Sequence, residues 1–234
     1  PRACGVHSHD MSMLLSLHFV VVALLRAGPD RSAPRWCPHL APTPGPAARR
    51  DTLEFCAALT RAHQLGLPAN GSSLVVDVGT DQGTEALTAR GFGHRVLSFE
   101  CRGEQAQAIS RRLAFRNDSG LRVVHACVSD RAGLGVLHRA ADSSSMSEAN
   151  VRVDGASWKA RREGRAGVAT ENVPIMRLDD ALDGRSLRAL GWPELASELA
   201  TSVGFLKVDV QGLEESVLRG AARTLREHRP FVFY

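Results

Sequence analysis

Aromatic side chains make up only 5% of the 234 residues and include a single tyrosine, so the chain offers few platforms on which single-stranded bases stack. The formal charge of +4 rests mostly on arginines scattered along the sequence rather than gathered with aromatics, which argues against a nucleic-acid surface. No Cys-x-x-Cys pair occurs among Cys4, Cys37, Cys56, Cys101 and Cys127, and no metal site is indicated. Cys101 and Cys127 are expected at the ends of two adjacent strands, as small buried hydrophobes rather than disulfide or redox partners. The Gly-x-Gly-x-x-Gly fingerprint of dinucleotide-binding enzymes is missing as well. Met11 to Leu25 is apolar but ends at Arg26, short of the ~18 to 20 residues that comfortably span a bilayer and of the right length for a signal-peptide core. It is read as a secretory signal or a short anchor. The expected location is the secretory pathway or a membrane surface, the alternative being cytoplasmic or organellar.

What is present begins with Leu74 to Gly83, Leu-Val-Val-Asp-Val-Gly-Thr-Asp-Gln-Gly. Its near-continuous apolar run is the pattern of a parallel strand covered on both faces, with Asp77 the one charge inside it. Gly79 permits a tight exit from the strand, and Gly83 lets the following helix, Thr84 to Arg90, start close beside a ligand. His94 to Glu100 reads as a second strand ending in an acid about 20 residues after the glycines, where nucleoside-binding folds place a carboxylate on ribose hydroxyls. Phe205 to Gly212, Phe-Leu-Lys-Val-Asp-Val-Gln-Gly, reads as another strand ending in an acid, Asp209. Strand ends carrying Gly, Glu and Asp then converge on one crevice.

In chain order, Val-Val-Asp-Val-Gly-Thr-Asp-Gln-Gly, Val-Leu-Ser-Phe-Glu, Ala-Cys-Val-Ser-Asp, Val-Pro-Ile-Met-Arg-Leu-Asp-Asp-Ala-Leu, Leu-Lys-Val-Asp-Val-Gln-Gly-Leu-Glu and Val-Leu-Arg-Gly-Ala form a set that resembles the FkbM family of S-adenosylmethionine-dependent methyltransferases, over roughly Gly71 to Tyr234. The first two motifs occur in class I methyltransferases generally, whereas the Lys207 to Ala221 block followed by Arg229-Pro230 is more particular to the family. The resemblance implies an α/β, Rossmann-like parallel sheet with flanking helices. It also implies S-adenosyl-L-methionine as cofactor, with the turn of Gly79, Thr80, Asp81 and Gly83 on its methionine part, Glu100 on the ribose and Asp130 near the adenine. Asp77 organises the turn or contacts the donor, and Asp209 faces the transferred methyl. Where the family usually has Glu, this chain has Gln211; Glu214, two residues past the glycine, is kept. Asp209 and Glu214 are the candidate catalytic acids, the rival role of Glu214 being to sit favourably at a helix N-terminus.

At 44% apolar and 23% charged residues the chain can bury one good core. Residues 1–28 are read as a leader and 29–50, holding six of the eleven prolines between Pro29 and Pro46, as an extended linker. The methyltransferase domain is assigned to 51–234, opening with a helix capped by Asp51 whose inward positions are Leu53, Cys56, Leu59 and His63. His63 is read as a boundary residue. Asn70-Gly71-Ser72 and Asn117-Asp118-Ser119 match the N-glycosylation acceptor pattern. Leu121 to Val128 is expected as a third strand, after a helix over Arg102 to Asn117. An insertion then follows, in which Leu134 to His138 and Val168 to Met176 pair as strands and a mobile-looking stretch between them forms a substrate cap. Asp179 and Asp180 are read as helix caps for at least one of the two, and Trp192-Pro193-Glu194 as opening a further helix. Phe231 to Tyr234 begins a strand beyond which a full methyltransferase sheet continues, so a C-terminally truncated domain is expected.

The expected reaction is O-methylation of a hydroxyl on a sugar or small metabolite, with a small-molecule or glycan acceptor, no nucleic acid, and membrane association through residues 11–25. The alternatives are a catalytically impaired donor-binding or interaction module of the same fold and an NAD(P)-dependent oxidoreductase. Against the oxidoreductase, Gly79 and Gly83 stand four apart with Asp81 between them, an unwelcome charge beside a pyrophosphate.

Overall fold

The apolar run after Ser72 forms β2 (Ser73–Val78) in the computed structural model of the chain, and every one of its residues is buried, as a central parallel strand requires. The structure describes residues 24–25, 37, 46–68, 73–115, 118–139, 150–152, 169–183, 185, 202–210 and 212–234. Around β2 stand β3 (Arg95–Glu100) and β4 (Leu121–His125) on one side, and β9 (Ser202–Val208) and β10 (Phe231–Phe233) on the other. All pair in parallel, in the order β10-β9-β2-β3-β4. This is the expected Rossmann-like α/β sheet. The outer edge beside β10 is β1, the two residues Leu24–Leu25, which run parallel to Val232 and Phe233. The last two residues of the run expected to target the chain therefore pair into the sheet, while residues 11–23 lie outside the described part. Among the described residues no helix is long and apolar enough to cross a membrane.

Alternation along the strands divides the core between two faces. Leu74, Val76 and Val78 pack with Leu97, Phe99, Leu206, Val208 and Val217. Val75 faces the other way, with Val96, Phe205 and Ile109, against Phe55, Leu59 and Ala62 of α1 (Pro46–Gln64). Phe55 meets Phe205 edge to face, ring centroids 5.7 Å apart. α1 begins at Pro46, five residues before the expected boundary, and Asp51 lies inside it instead of capping it. A proline suits a first helical turn, where its missing N–H has no intrahelical partner anyway, so the end of the proline-rich segment is the start of the helix. His63 in its last turn sends Nδ1 to the Leu67 carbonyl at 2.9 Å and stacks on His94, with the two Nε2 atoms 3.0 Å apart. Since a carbonyl only accepts, His63 Nδ1 carries a proton and its Nε2 receives that of His94. The pair packs the end of α1 against the start of β3.

One correction concerns sulfur. Cys37 is bridged to Cys56 of α1, and Cys101 to Cys127. The expectation of two inert thiols at positions 101 and 127 fails because β3 and β4 end side by side, with Cα atoms 4.5 Å apart. A further correction concerns the expected third strand, 121–128. It divides at Ala126, whose N–H donates to the Glu100 carbonyl at 3.0 Å, and the chain passes from β4 into β5 (Cys127–Val128) of a second sheet. That sheet is built by the insertion. β6 (Gly133–Arg139) pairs antiparallel with β8 (Ala169–Met176), as expected of the runs 134–138 and 168–176, β7 (Asn150–Arg152) flanks β6, and β5 joins β8 in parallel.

After β8 comes α4 (Leu178–Leu182); α2 (Thr84–Gly91) and α3 (Gly103–Phe115) follow β2 and β3, and α5 (Glu214–Gly220) and α6 (Ala222–His228) follow β9. Asp179 is a cap, but of another helix. Its Oδ1 accepts from Thr224 N and Oγ1, both at 2.8 Å, and its Oδ2 from Arg223 N at 2.9 Å, which satisfies the first N–H groups of α6. Asn70, Asn117 and Trp192 lie outside the described residues.

Candidate active site

The carboxyl ends of β2, β3 and β9 meet at the turn Gly79 to Gly83. Gly79 (φ 80°) and Gly83 (φ 74°) both adopt the left-handed conformation, and so does Asp81 (φ 44°). The turn is pinned to β3 by Gly79 N and Thr80 N, which both donate to the Phe99 carbonyl at 3.0 and 3.2 Å. It is pressed equally hard against β9: a Cβ on Gly79 would stand 1.9 Å from the Asp209 carbonyl oxygen, so only glycine fits. A Cβ on Gly83 would come within 3.1 Å of Ile109 of α3.

Beneath the turn lies a buried ion pair that the sequence reading did not single out. Lys207, 4% exposed, extends Nζ to Asp77 Oδ1 at 3.0 Å and donates to the Gly79 carbonyl at 2.7 Å, while Asp209 Oδ2 lies 4.0 Å away. Burial alone pushes a lysine toward neutrality, but Asp77, Glu85 and Asp209 outweigh it and raise its pKa. Lys207 is therefore a fixed cation. The signal for it was a lysine inside an otherwise apolar strand, Phe-Leu-Lys-Val-Asp-Val. Asp77 is fully buried and also faces Ser98 Oγ at 3.4 Å, so its carboxylate is a structural anchor of the turn. A second polar knot lies where α1 meets the start of α2: Thr52 Oγ1 donates to Glu85 Oε1 at 2.7 Å, and Thr84 Oγ1 to Glu85 Oε2 at 2.9 Å.

Glu100 ends β3 and orients the far side of the turn. Its Oε2 accepts from Asp81 N at 2.9 Å, and its Oε1 from Arg102 N at 2.9 Å and Arg102 Nε at 3.2 Å. The Arg102 guanidinium also pairs with Asp81 Oδ1, and Gln105 Nε2 donates to the Asp81 carbonyl at 2.7 Å. Asp209 stands just past β9, its backbone N–H donating to the Val78 carbonyl at 2.9 Å and its side chain 62% exposed. Partial desolvation, with the like charges of Asp77, Asp51 and Glu214, raises its pKa from the ordinary value against the pull of Lys207. Glu214 folds back on its own loop, with Oε1 and Oε2 accepting from Gly212 N at 3.0 and 2.9 Å and Oε1 from Val210 N at 3.3 Å.

The fold thus brings Asp77, Gly79, Thr80, Asp81, Gly83, Glu100 and Asp209 together at one sheet edge. Asp130 belongs to the turn after β5, where it is exposed, Ser129 Oγ donates to its Oδ1 at 3.3 Å, and the α5 residue Gly220 packs beside it. Gln211 lies outside the described residues. Thr80 Oγ1 is buried within the turn without a hydrogen-bond partner, a polar group that a ligand would satisfy. Among the described residues no group of three or more side chains is arranged to hold a metal ion.

A parallel sheet with a left-handed glycine turn after one strand and an acid closing the next defines the Rossmann-like class of α/β domains. Within that class the methyltransferase FkbM domain matches residues 77–234, and the chain belongs to that family of methyltransferases. No curated protein and no solved structure matches the chain.

Proposed function

We propose that the chain transfers a methyl group from S-adenosyl-L-methionine to a hydroxyl on a sugar or small metabolite, with Asp209 as the acceptor-facing base. The observation that carries this reading is the contrast at one sheet edge between an acid engaged by backbone N–H groups, Glu100, and an acid left open, Asp209. The residues present fit the donor. The left-handed Gly79 and Gly83 turn the chain tightly at the strand end, Thr80 Oγ1 lacks a partner, and Glu100 ends the strand that conventionally presents an acid to ribose. When bound, the donor supplies an electrophilic methyl on a sulfonium.

What the protein does is positioning and proton transfer. The Gly79 to Gly83 turn, braced by Lys207 on its carbonyl side, holds one end of the donor, and Glu100 fixes the ribose. Asp209 accepts the proton of the acceptor hydroxyl as the new O–C bond forms and the C–S bond breaks, leaving the thioether product. Its raised pKa makes it a better base than an ordinary carboxylate. Glu214 is assigned the loop rather than the chemistry, because backbone N–H groups already engage both its oxygens. The two disulfides among the described residues support maturation in an oxidising compartment, in keeping with a secretory route.

The test incubates the full chain with isotopically labelled donor and a panel of hydroxylated acceptors, read by mass spectrometry. A labelled methyl ether is the expected product. Tight NAD binding without donor binding refutes the reading, while donor binding with no turnover on any acceptor leaves a binding module.

A further inference from the structure

The acid assigned to the ribose is covered. Glu100 has a side chain only 6% exposed, and the group lying on it is Arg102, itself 25% exposed. A carboxylate has about four lone-pair sites, and three donors already converge on this one: Asp81 N, Arg102 N and Arg102 Nε. The first two are backbone groups that aim the carboxylate. The third belongs to a side chain that bridges Glu100 to Asp81 Oδ1, spanning the two residues between which the donor is to lie.

Neither backbone segment is free to move aside. Cys101 is bridged to Cys127, Gly103 N donates to Glu171 Oε1 at 2.9 Å from the second sheet, and Asp81 is held at both its N–H and its carbonyl. Opening this corner therefore falls to the Arg102 side chain alone. The pairing also has a physical reason, since a nearly buried carboxylate left without a cation or ligand is costly.

We propose that Arg102 sets the donor affinity of this site by closing it: its guanidinium occupies Glu100 and Asp81 until a nucleoside diol replaces it. The proposal rests on the methyltransferase reading above and adds to it a residue that competes with the donor instead of binding it. Glu100 passes from one partner to another and is never left charged and bare. Apparent affinity is the intrinsic affinity reduced by the fraction of molecules already open, so removing the competitor tightens binding.

The experiment is calorimetry on the full chain with S-adenosylhomocysteine, the demethylated product, for the native protein, Arg102→Met and Arg102→Lys. Arg102→Met is expected to tighten binding roughly 3- to 10-fold, the scale of one partly exposed ion-pair bridge. Arg102→Lys, which keeps the charge but not the two-pronged reach, tightens it less. In an Asp81→Asn, Glu100→Gln background, where the guanidinium has lost both of its anchors, the gain from Arg102→Met disappears. A structural role for Arg102 predicts none of this, since a loosened site binds more weakly. Native binding with an unchanged or weakened Arg102→Met variant overturns the closure and leaves the methyltransferase reading standing. Binding in neither protein overturns both.

Discussion

Two strand ends at the same sheet edge carry the same pair of charges in opposite arrangements. At the end of β9, Lys207 lies inside the sheet, beneath the turn, and Asp209 faces outward. At the end of β3, Glu100 lies inside and Arg102 comes from the outer side to cover it. In the proposed mechanism the acid whose cation is underneath stays available for proton transfer, while the acid whose cation is on top is held for exchange with a ligand. The order of the two charges along the outward direction, more than their identity, separates a base from a binding group.

The arrangement at β9 breaks most severely at its cation. Lys207→Met removes the partner of Asp77, which is fully buried, and is expected to cost about 3 to 5 kcal/mol of folding stability in denaturant unfolding. Adding Asp77→Leu removes the stranded charge and should restore part of that loss. No recovery would mean that the bond from Lys207 to the Gly79 carbonyl, and not the ion pair, holds the turn.

A second loss of stability has to be separated from the chemistry of the site. His94 is buried, and burial together with neighbouring His63 and Arg90 lowers its pKa from 6.5 to about 4. The unfolded chain therefore binds the extra proton first. Stability is fully present above pH 6.5 and falls as pH drops toward 4, by on the order of 3 kcal/mol in all. His94→Gln should flatten that slope in unfolding curves taken across the window. With Asp209 in its proposed role turnover is also expected to decline in acid, so it should be measured where the melting temperature has not yet moved.

Within that range the outward acid is the next test. Asp209→Asn is expected to reduce turnover about 100-fold while donor affinity stays within a few-fold, since the amide keeps the shape and loses the base. If donor binding is lost instead, Asp209 belongs to the cradle and the contrast with Glu100 collapses. Glu100→Ala should do the reverse, weakening the donor about tenfold, ~1.4 kcal/mol, with a smaller effect at saturating donor.

Much of this geometry was legible in the chain because local rules and tertiary structure agreed there. The run Leu74 to Val78 could only be a covered strand, the two glycines had to turn, and Glu100 had to follow at the end of the next strand. The pairing of β6 with β8 was expected of the two strand-like runs 134–138 and 168–176. Lys207 was passed over because a lysine reads as surface until the strand beside it supplies Asp77. The division at Ala126 left no trace, since Val123 and Val124 before it are as strand-like as Cys127 and Val128 after it and the change of sheet distinguishes them. The cysteine pairs lie 19 and 26 residues apart and meet only once α1 is docked and β3 lies against β4. Arg102 belongs with these, because its role depends on which side of Glu100 it approaches.

The smallest expected effect is at Glu214, and it bears on whether β9 supplies one acid or two. Both its oxygens receive backbone N–H groups, from Gly212 at 3.0 and 2.9 Å and from Val210 at 3.3 Å, which closes the loop ahead of α5. Gly212 sits at φ 105°, a left-handed conformation that glycine tolerates and this brace helps to hold. Glu214→Gln keeps one acceptor oxygen in the same place, so the loop should survive with turnover lowered by no more than about threefold and stability by about 1 kcal/mol. Glu214→Ala removes both acceptors and should cost more in stability than in turnover per folded molecule. A loss in Glu214→Gln approaching that of Asp209→Asn, with the melting temperature unchanged, would make Glu214 a second chemical group. The acid facing the acceptor would then be shared between the two residues.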